Sequence, residues 1–289
     1  MTTSAELGVE LGTGRIRIRR SGASSEQEQH TGPENAKSHT EMVRRASETA
    51  ATVPSIAGTL PVVFPVVRNV PAITTGQMIE VDRVMIEDLG IDLVRMMENA
   101  GRSLAALAIA RHAPRTVQVL AGSGGNGGGV LTAARHLWNR GVDVRVTNTA
   151  DPERMTPVAA QQAHILDRIG VEFSSRPTDA DLVLDGLIGY SLSGAPRGRA
   201  LELIEWSHGR TVLSLDVPSG VDSETGSTPG AAIRATATLT LALPKTGIVG
   251  HEHTGRLFLA DISVPPHVYR AFGIDLETPF GESPIVEIV

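Results

Sequence analysis

The sequence predicts an α/β fold with a mostly parallel central sheet and helices on both faces. Short β-favouring runs alternate with helix-like segments from about residue 116 to about residue 260. The first run, TVQVL, leads into a glycine-rich segment that is followed by a helical pattern. Such alternation is typical of βα units, in which each crossover helix returns the chain to a parallel strand.

The composition indicates a globular protein that acts on a small molecule. The 289 residues are 41% hydrophobic and 3% aromatic, which suits one large or two small domains with an aliphatic core. A net charge of −6 argues against nonspecific binding to nucleic acid or to anionic membranes. The absence of cysteine excludes disulfides and Cys-ligated metal. No apolar run approaches the roughly 18 residues of a membrane span and no signal-peptide core is visible, so we expect a cytoplasmic location.

Residues 1–70 are predicted to form a largely disordered or extended tail. The first 50 or so are rich in Ser, Thr, Glu, Gln and Gly, and they carry too few large apolar side chains to offset the entropy of ordering. Residues 54–71 are apolar but contain four prolines, which predicts an extended segment on the domain or on a partner subunit. The folded domain is expected over residues 71–289.

Two helices are predicted before the first strand. Thr74 or Thr75 is placed to cap a helix that ends at Gly90. A second helix is predicted over residues 92–112. Its apolar face is expected to contain Met97, Gly101, Leu104 and Ala108. Both helices have the amphipathic pattern of elements that cover a sheet.

The central unit is a strand, a glycine-rich loop and a helix between Thr116 and Trp138. Glycine occupies positions 122, 124, 125, 127, 128 and 129. Because glycine has no Cβ, a ligand can approach the backbone N–H groups, and the following helix N-terminus favours anions. The glycine segment also matches the dinucleotide-binding motif G-x-G-x-x-G. The acidic residue that such folds place about 20 positions later could be Asp143 or Asp151, so its identity is ambiguous. A dinucleotide dehydrogenase and a purely structural turn stay open here as alternatives.

The remaining elements continue the alternation. Strands are predicted over residues 143–147, 171–173, 182–184, 212–215, 236–243 and 257–260. One helix is expected to begin at Pro157 with Thr156 as its cap, and another contains Leu201 and Ile204. No internal repeat and no second folded domain is visible.

Two of these strands end in an aspartate that turn residues follow. Asp185 ends LVLD and Asp216 ends VLSLD. Ligands of open parallel sheets bind outside the carboxyl ends of the strands, so both aspartates are expected beside the glycine loop. Ser219 follows Pro218 in a tight turn, where its hydroxyl could help to coordinate a cation. Any such ion would be held by oxygen atoms, which suit alkali and alkaline-earth ions.

Taken together, the motifs between about Ile73 and Pro266 resemble the NAD(P)H-hydrate epimerase family, the YjeF N-terminal domain. The matching segments, in the family's order, are QMIEVDR, LGIDLVRMMENAGR, AGSGGNGGG, AARHL, DLVLDGLIGYSLSGAPRG, LSLDVPSGVDSETG, LALPKTG and GRLFLADISVPP. The most specific part is DVPSGVD…TG followed by LPK. The resemblance covers about two-thirds of the chain and identifies residues 71–289 as a YjeF N-terminal-like domain.

This resemblance implies a fold, an activity and partners. The fold would be a three-layer α/β/α Rossmann-like sandwich, commonly dimeric, so a homodimer is an expectation. The activity would be isomerisation, the interconversion of the R and S epimers of hydrated NADH or NADPH at C6, with a potassium ion (K⁺) at the site. Some family members are fused to a dehydratase domain that this chain is too short to carry. An ADP/ATP-dependent NAD(P)H-hydrate dehydratase is therefore expected as a functional partner.

The resemblance also implies roles for individual residues. The K⁺ ligands would be Asn126, Asp185 and Ser219. The substrate-binding residues would be Gly125, Asn126, Gly127, Gly128, Gly129, Gly189, Tyr190, Ser191, Leu192, Ser193, Gly194, Ala195 and Asp216. Asp185 and Asp216 are the catalytic candidates, because a carboxylate beside C6 can stabilise a cation and carry a proton. Asp185 is preferred because its turn leads into residues 189–195, and Asp185→Asn is expected to abolish epimerisation with little loss of fold.

The glycine loop departs from the common family pattern G-N-N-G-G-D-G. Gly125 replaces the first Asn, Gly129 replaces the Asp and Val130 replaces the following Gly. Three interpretations are open: a site dominated by backbone groups, a shifted substrate preference, or a homologue that binds nucleotide without turning it over. A non-catalytic binding or scaffolding homologue is thus the main alternative to the epimerase.

Overall fold

A nine-stranded sheet forms the centre of the computed structural model, which describes residues 63–289. The strands are β1 Val66–Val67, β2 Thr116–Ala121, β3 Asp143–Asn148, β4 Glu172–Phe173, β5 Leu182–Gly186, β6 Val212–Leu215, β7 Ala237–Leu241, β8 Arg256–Ala260 and β9 Ile285–Ile288. Their order is β1-β9-β8-β7-β6-β5-β2-β3-β4, and every neighbouring pair is parallel except β8 with β9. The predicted α/β class is confirmed.

Helices cover both faces of this sheet. They are α1 Thr75–Arg83, α2 Leu93–His112, α3 Gly125–Trp138, α4 Pro157–Arg168, α5 Gly198–Trp206 and α6 Pro266–Arg270. The larger apolar cluster joins one face of the sheet to α2, α3 and α4, and a smaller cluster joins the other face to α5. Adjacent residues of β2 divide between them, with Val119 in the larger cluster and Leu120 in the smaller. This alternation produces three layers.

The first helix begins as its sequence predicts but ends differently. The Thr74 hydroxyl accepts from the Gln77 N–H at 3.2 Å, and the Gln77 side chain accepts from the Thr74 N–H at 2.9 Å, which forms a capping box. After Arg83 the chain continues as a π-helical turn, Val84–Asp88. The predicted apolar face of α2 is confirmed, because all four of its residues are buried.

The glycine-rich segment differs from its prediction, because α3 already begins at Gly125. Gly127, Gly128 and Gly129 therefore belong to the first turns of a helix, although the sequence predicts a loop as far as residue 129. Close packing explains why glycines occupy these helical positions. A Cβ at Gly127 would lie 1.9 Å from the Gly122 carbonyl oxygen, and a Cβ at Gly129 would lie 2.4 Å from Leu215 Cδ2.

Three elements at the ends of the described chain were not predicted from the sequence. They are β1, α6 and β9, which have two, five and four residues. The proline-rich residues near 66 pair with β9, just before the predicted domain start at residue 71. The predicted tail up to residue 62 lies outside the described residues. No helix within residues 63–289 combines the length and apolar character needed to cross a bilayer.

Candidate functional site

A cavity of about 420 Å³ opens at the carboxyl ends of the central strands. It lies where β2 is flanked by β3 and β5, so the chain runs away from β2 in both directions along the sheet. Open α/β sheets bind ligands at such a switch point. The first turns of α3, the segment after β5 and the residues after β6 and β7 form its polar wall. Its apolar wall includes Met78, Ile86, Leu93 and Met97.

The structure brings only part of the predicted substrate-binding set to this cavity. Gly125, Asn126 and Gly127 line it, as do Gly189, Tyr190, Ser191 and Asp216. Gly128 and Gly129 instead pack inside the fold, against Val158 and Leu215 respectively. Residues 192–195 are not among the cavity-lining residues. A side chain added at Gly125 would meet open space, so this glycine is not required by packing.

Asp216 forms a buried ion pair with Lys245 at the edge of the cavity. Its backbone is left-handed, with φ of 65°, which turns the carboxylate back over the end of β7. There it accepts hydrogen bonds from the Lys245 ammonium, the Leu241 N–H at 3.2 Å and the Thr240 hydroxyl at 3.3 Å. Lys245 is fully buried and also donates to the Leu241 carbonyl at 2.9 Å. The pair holds a carboxylate charge at the cavity surface.

A second carboxylate, Asp82 on α1, faces the same cavity. The Tyr190 hydroxyl donates to Asp82 Oδ2 at 2.6 Å, and Lys245 Nζ lies 6.0 Å from the Tyr190 ring centre. Burial raises the pKa of Asp82, and the hydrogen bond from Tyr190 opposes that shift. Burial and the Asp82 carboxylate raise the pKa of Tyr190 above its ordinary value. The cavity therefore contains two carboxylates in different electrostatic surroundings.

Asp82 and Lys245 were not predicted from the sequence as functional residues. Both occur in segments that carry the family resemblance, QMIEVDR and LALPKTG. The family motifs therefore contained both residues, but Asp82 has the helical spacing of an exposed polar residue. A lysine after Pro244 gives no sign that it will be fully buried. These residues are 163 positions apart in the sequence, and only the fold brings them to one cavity.

Asp185 lies beneath this cavity and does not line it. It is fully buried, and its two oxygens accept four hydrogen bonds. Oδ1 accepts from the Leu187 N–H at 3.2 Å and the Ser219 hydroxyl at 2.6 Å. Oδ2 accepts from the Ser214 hydroxyl at 2.8 Å and the Ser219 N–H at 2.9 Å. Burial raises the pKa of Asp185, and the bonds from Ser219, Ser214 and Leu187 oppose that shift.

These four bonds change the expected consequence of Asp185→Asn for stability. Each carboxylate oxygen accepts one backbone N–H, so an asparagine in either orientation directs its NH₂ at a donor that cannot turn away. We expect a loss of about 1–3 kcal/mol in the free energy of unfolding, the cost of an unsatisfied buried polar group. Urea unfolding measures it. An unfolding free energy equal to that of the unchanged protein would show that the site relaxes around the amide.

Several oxygen atoms converge between Asp185 and Asn126. The Asn126 amide donates to the carbonyls of Leu215 at 2.8 Å and Ile188 at 3.3 Å. Ser219 Oγ accepts from the Ile188 N–H at 2.8 Å and lies 3.2 Å from the Ile188 carbonyl oxygen. The three predicted ion ligands are thus brought together. Carboxylate, hydroxyl and carbonyl oxygens are hard donors that fit K⁺. Asn126 directs its amide nitrogen at the two carbonyls, and a half-turn of that amide would add its oxygen to the set.

Within residues 63–289 there is no group of three or more His, Asp or Glu arranged to hold a metal ion. Such groups bind transition metals, Ca²⁺ or Mg²⁺ through several titratable side chains. This finding does not bear on an alkali-metal site, because such a site uses carbonyl, amide and hydroxyl oxygens.

Comparison with known proteins relates this chain to one family. Residues 94–247 match the profile of the family described as YjeF-related protein N-terminus. An NAD(P)H-hydrate epimerase of Dehalogenimonas lykanthroporepellens is 45% identical over 225 residues, which cover 74% of this chain and 91% of that protein. A bifunctional NAD(P)H-hydrate repair enzyme of Hyperthermus butylicus is 40% identical, but the match covers only 36% of its length.

The fold is similar to that of a solved structure. The crystal structure of the yeast protein YNL200c superposes with a TM-score of 0.65 at 23% sequence identity, and the match covers 75% of this chain and 99% of that one. At this identity the likeness concerns the fold. The family profile matches more than half of the present sequence, and the Dehalogenimonas protein is matched over nearly its whole length. The chain therefore belongs to the YjeF N-terminal domain family.

Proposed function

We propose that this protein is an NAD(P)H-hydrate epimerase, an isomerase that interconverts the R and S epimers of hydrated NADH or NADPH at C6. Relatives that match along almost their whole length bear this name. The structural observation that carries the proposal is the cavity at the sheet's switch point, where the buried Asp216–Lys245 pair and the Asp82–Tyr190 pair meet. The activity would serve the repair of damaged nicotinamide nucleotides.

The proposed reaction removes and returns one water molecule. A proton is transferred to the C6 hydroxyl, the C6–O bond breaks with its electron pair on oxygen, and water leaves. The resulting cation is conjugated with the ring nitrogen. Water then adds to the opposite face of C6 and gives up a proton, so that atoms and charge balance over the cycle. The enzyme must supply one proton donor, one proton acceptor and a negative charge near the ring.

The two carboxylates of the cavity suit these different tasks. Asp82 is the better proton donor, because burial raises its pKa and favours its protonated form. Asp216 is the better stabiliser of the cation and acceptor of the second proton, because Lys245 holds its charge in place. Asp185 already accepts four hydrogen bonds and lies below the cavity, so we assign it to the ion site and to support of Ser219, and not to proton transfer.

Asn126, Asp185 and Ser219, with the carbonyls of Ile188 and Leu215, would hold a K⁺ ion. When bound, the ion would supply a positive charge that fixes the turns after β5 and β6. Ser219 is central in this arrangement, because its Oγ and N–H contact both Asp185 and Ile188. These turns carry Tyr190 and Asp216, so the ion-holding residues position the cavity wall.

Potassium is expected to stabilise the protein by about 1–3 kcal/mol at concentrations well above its dissociation constant. The measurement compares melting temperatures in potassium chloride and in tetramethylammonium chloride at equal ionic strength. Ser219→Ala is expected to remove the potassium-dependent increment, whatever its own effect on the baseline. The matched variant Ser227→Ala, an exposed serine, keeps the increment. Equal melting temperatures in the two salts would contradict the ion site.

The epimerase is tested by coupling it to the reaction that consumes one epimer. A mixture of the S and R forms of hydrated NADPH is supplied with an S-specific dehydratase, with and without this protein and potassium. Faster consumption of the R form supports the epimerase. Tight binding of the substrate without acceleration would instead favour a binding homologue, which the altered loop at Gly125, Gly129 and Val130 keeps as the second candidate. Hydride transfer to an added substrate would indicate a dehydrogenase.

The proposed activity also defines the protein's surroundings. The S epimer is the product that an ADP/ATP-dependent dehydratase would consume, and the bifunctional relatives combine two repair activities in one chain by their names. We place the protein in the cytoplasm as a homodimer that works beside such an enzyme. Cell fractionation and sedimentation equilibrium test these two assignments, and a membrane fraction or a monomer at micromolar concentration would contradict them.

A further inference from the structure

A second cavity, of about 800 Å³, lies at the carboxyl ends of β3 and β4 and is not used by the proposed chemistry. The residues after β3, a face of α4 and the residues after β4 form its walls. Arg199 of α5 reaches its rim, where it donates to the Ser175 carbonyl and pairs with Glu202 at 2.6 Å. The cavity is larger than the first and opens at the same edge of the sheet.

The two cavities flank the glycine segment. Ala121 at the end of β2 is in register with Asn148 at the end of β3, and the Thr149 N–H donates to the Ala121 carbonyl at 2.9 Å. The Thr156 N–H donates to the Ser123 carbonyl at 2.8 Å, so the segment between β3 and α4 is fixed against the glycine segment. Neighbouring strands are about 4.8 Å apart. The two cavities therefore lie on either side of the segment that leads into α3.

Asn148 is a polar residue of this cavity whose binding capacity is unused. Its Oδ1 is shielded from solvent and has no hydrogen-bond partner within residues 63–289. Such a buried acceptor costs free energy unless something satisfies it. Asn148 is one of the residues that line the cavity, so a ligand bound there would lie beside it. In dinucleotide-binding folds, an acceptor side chain at the end of the second strand of the βαβ unit binds a ribose hydroxyl. The corresponding strand here is β3, which ends at Asn148.

Other residues of the cavity suit a nucleoside. Asp151 is an exposed carboxylate on the loop after β3 and can accept a second hydroxyl. Phe173, Ala163 and Pro152 supply apolar surface against which a purine can pack. Arg154 lies at the same rim, but the acidic side chains Asp151, Glu153 and Asp167 outnumber the two arginines there. A phosphate on the ribose would meet this negative charge.

We infer that the second cavity binds the adenosine half of the dinucleotide substrate, with Asn148 and Asp151 accepting hydrogen bonds from the ribose hydroxyls. The inference rests on the proposed function, because it assigns to the first cavity the damaged nicotinamide ring. It gives the molecule a site for each nucleoside, with the diphosphate crossing the N-terminus of α3 between them. It also makes hydrated NADH a better substrate than hydrated NADPH, whose 2′-phosphate would face Asp151.

The test compares a whole substrate with one that lacks adenosine. For hydrated NADH, Asn148→Ala is expected to lower kcat/KM about tenfold, as loss of one good hydrogen bond does. For hydrated reduced nicotinamide mononucleotide, the same variant is expected to act at the rate of the unchanged protein. The matched control Asn139→Ala removes an asparagine at the other end of α3 and is expected to change neither. Equal losses on both substrates, or none on hydrated NADH, would overturn the subsite.

Asp151 is tested through the preference between the two dinucleotides. Asp151→Asn is expected to reduce the ratio of kcat/KM for hydrated NADH over hydrated NADPH by about tenfold. Asp143→Asn, at the opposite end of β3, is the matched control and leaves the ratio unchanged. A ratio in the unchanged protein that favours hydrated NADPH would contradict the role of Asp151.

Binding of ADP-ribose separates this inference from the proposed function. ADP-ribose carries the adenosine half and no nicotinamide, so calorimetry detects the subsite without turnover. Weakening of its binding by Asn148→Ala in a protein with no epimerase activity would retain the subsite and reject the epimerase. Epimerase activity with no detectable ADP-ribose binding would support the epimerase and reject the adenosine subsite.

Discussion

Replacing Asp216 by asparagine is expected to lower kcat/KM for epimerisation by a factor of about 10² to 10⁴, the contribution of a positioned general base. Asparagine keeps the shape and tolerates the left-handed backbone at this position. It can still accept from the Leu241 N–H, but it carries no charge to stabilise the cation. The coupled assay with hydrated NADPH measures the loss, at a temperature where circular dichroism shows that the variant is folded.

Asp82→Asn separates the two carboxylates of the proposed mechanism. We expect a similar loss in kcat, because the variant has no proton to transfer to the leaving hydroxyl, while KM stays close to that of the unchanged protein. Asp179→Asn is the control: this exposed aspartate pairs with Arg210 away from the cavity. Wild-type turnover in Asp82→Asn would remove Asp82 from the mechanism, and wild-type turnover in Asp216→Asn would require a different catalytic carboxylate.

The second large effect is on stability and concerns Lys245. Lys245→Met is expected to lower the free energy of unfolding by about 3–5 kcal/mol, because it leaves the Asp216 carboxylate buried without its counter-charge. Methionine has a similar length and fills the volume of the lysine stem. The cost therefore comes from the unpaired charge and not from an empty cavity. Urea unfolding followed by far-UV circular dichroism measures it.

The double variant identifies the source of that cost. Asp216→Asn alone leaves the Lys245 ammonium without its partner, so it is also expected to destabilise the protein. Combining both changes removes both charges, and the double variant is expected to lose about 1–3 kcal/mol less than the sum of the single losses. Strict additivity would show that the two side chains stabilise the fold independently of each other.

The order of elements could be predicted from the sequence because it depends on local patterns. Thr74 caps α1, and Pro157 begins α4 as predicted. The short elements β1, α6 and β9 could not be predicted, since β1 and β9 are strands only through pairing with distant residues. The predicted start of α3 was wrong for a related reason. Glycine disfavours helices locally, but contacts with Gly122 and Leu215 require glycines inside this helix.

The part of the candidate site that could be predicted is the part formed by sequence motifs. The strand-end aspartates and Ser219 were placed at one edge of the sheet by general rules of parallel sheets, and the structure brings them there. Which aspartate faces the cavity could not be predicted, because both follow buried strands in the same way. The difference arises from four hydrogen bonds on Asp185 and from the distant Lys245 beside Asp216.

The residues of the glycine segment that differ from the common family pattern pack against strand ends whose side chains fit them. A Cβ at Gly186 would lie 2.5 Å from both methyl groups of Val130, so the valine fits only because β5 ends in glycine. Leu215 likewise occupies the space beside Gly129. These positions act as interlocking pairs. Introducing the aspartate of the common family loop at position 129 would therefore require a smaller residue at position 215 as well, whereas a glycine at position 130 would leave a gap against the end of β5.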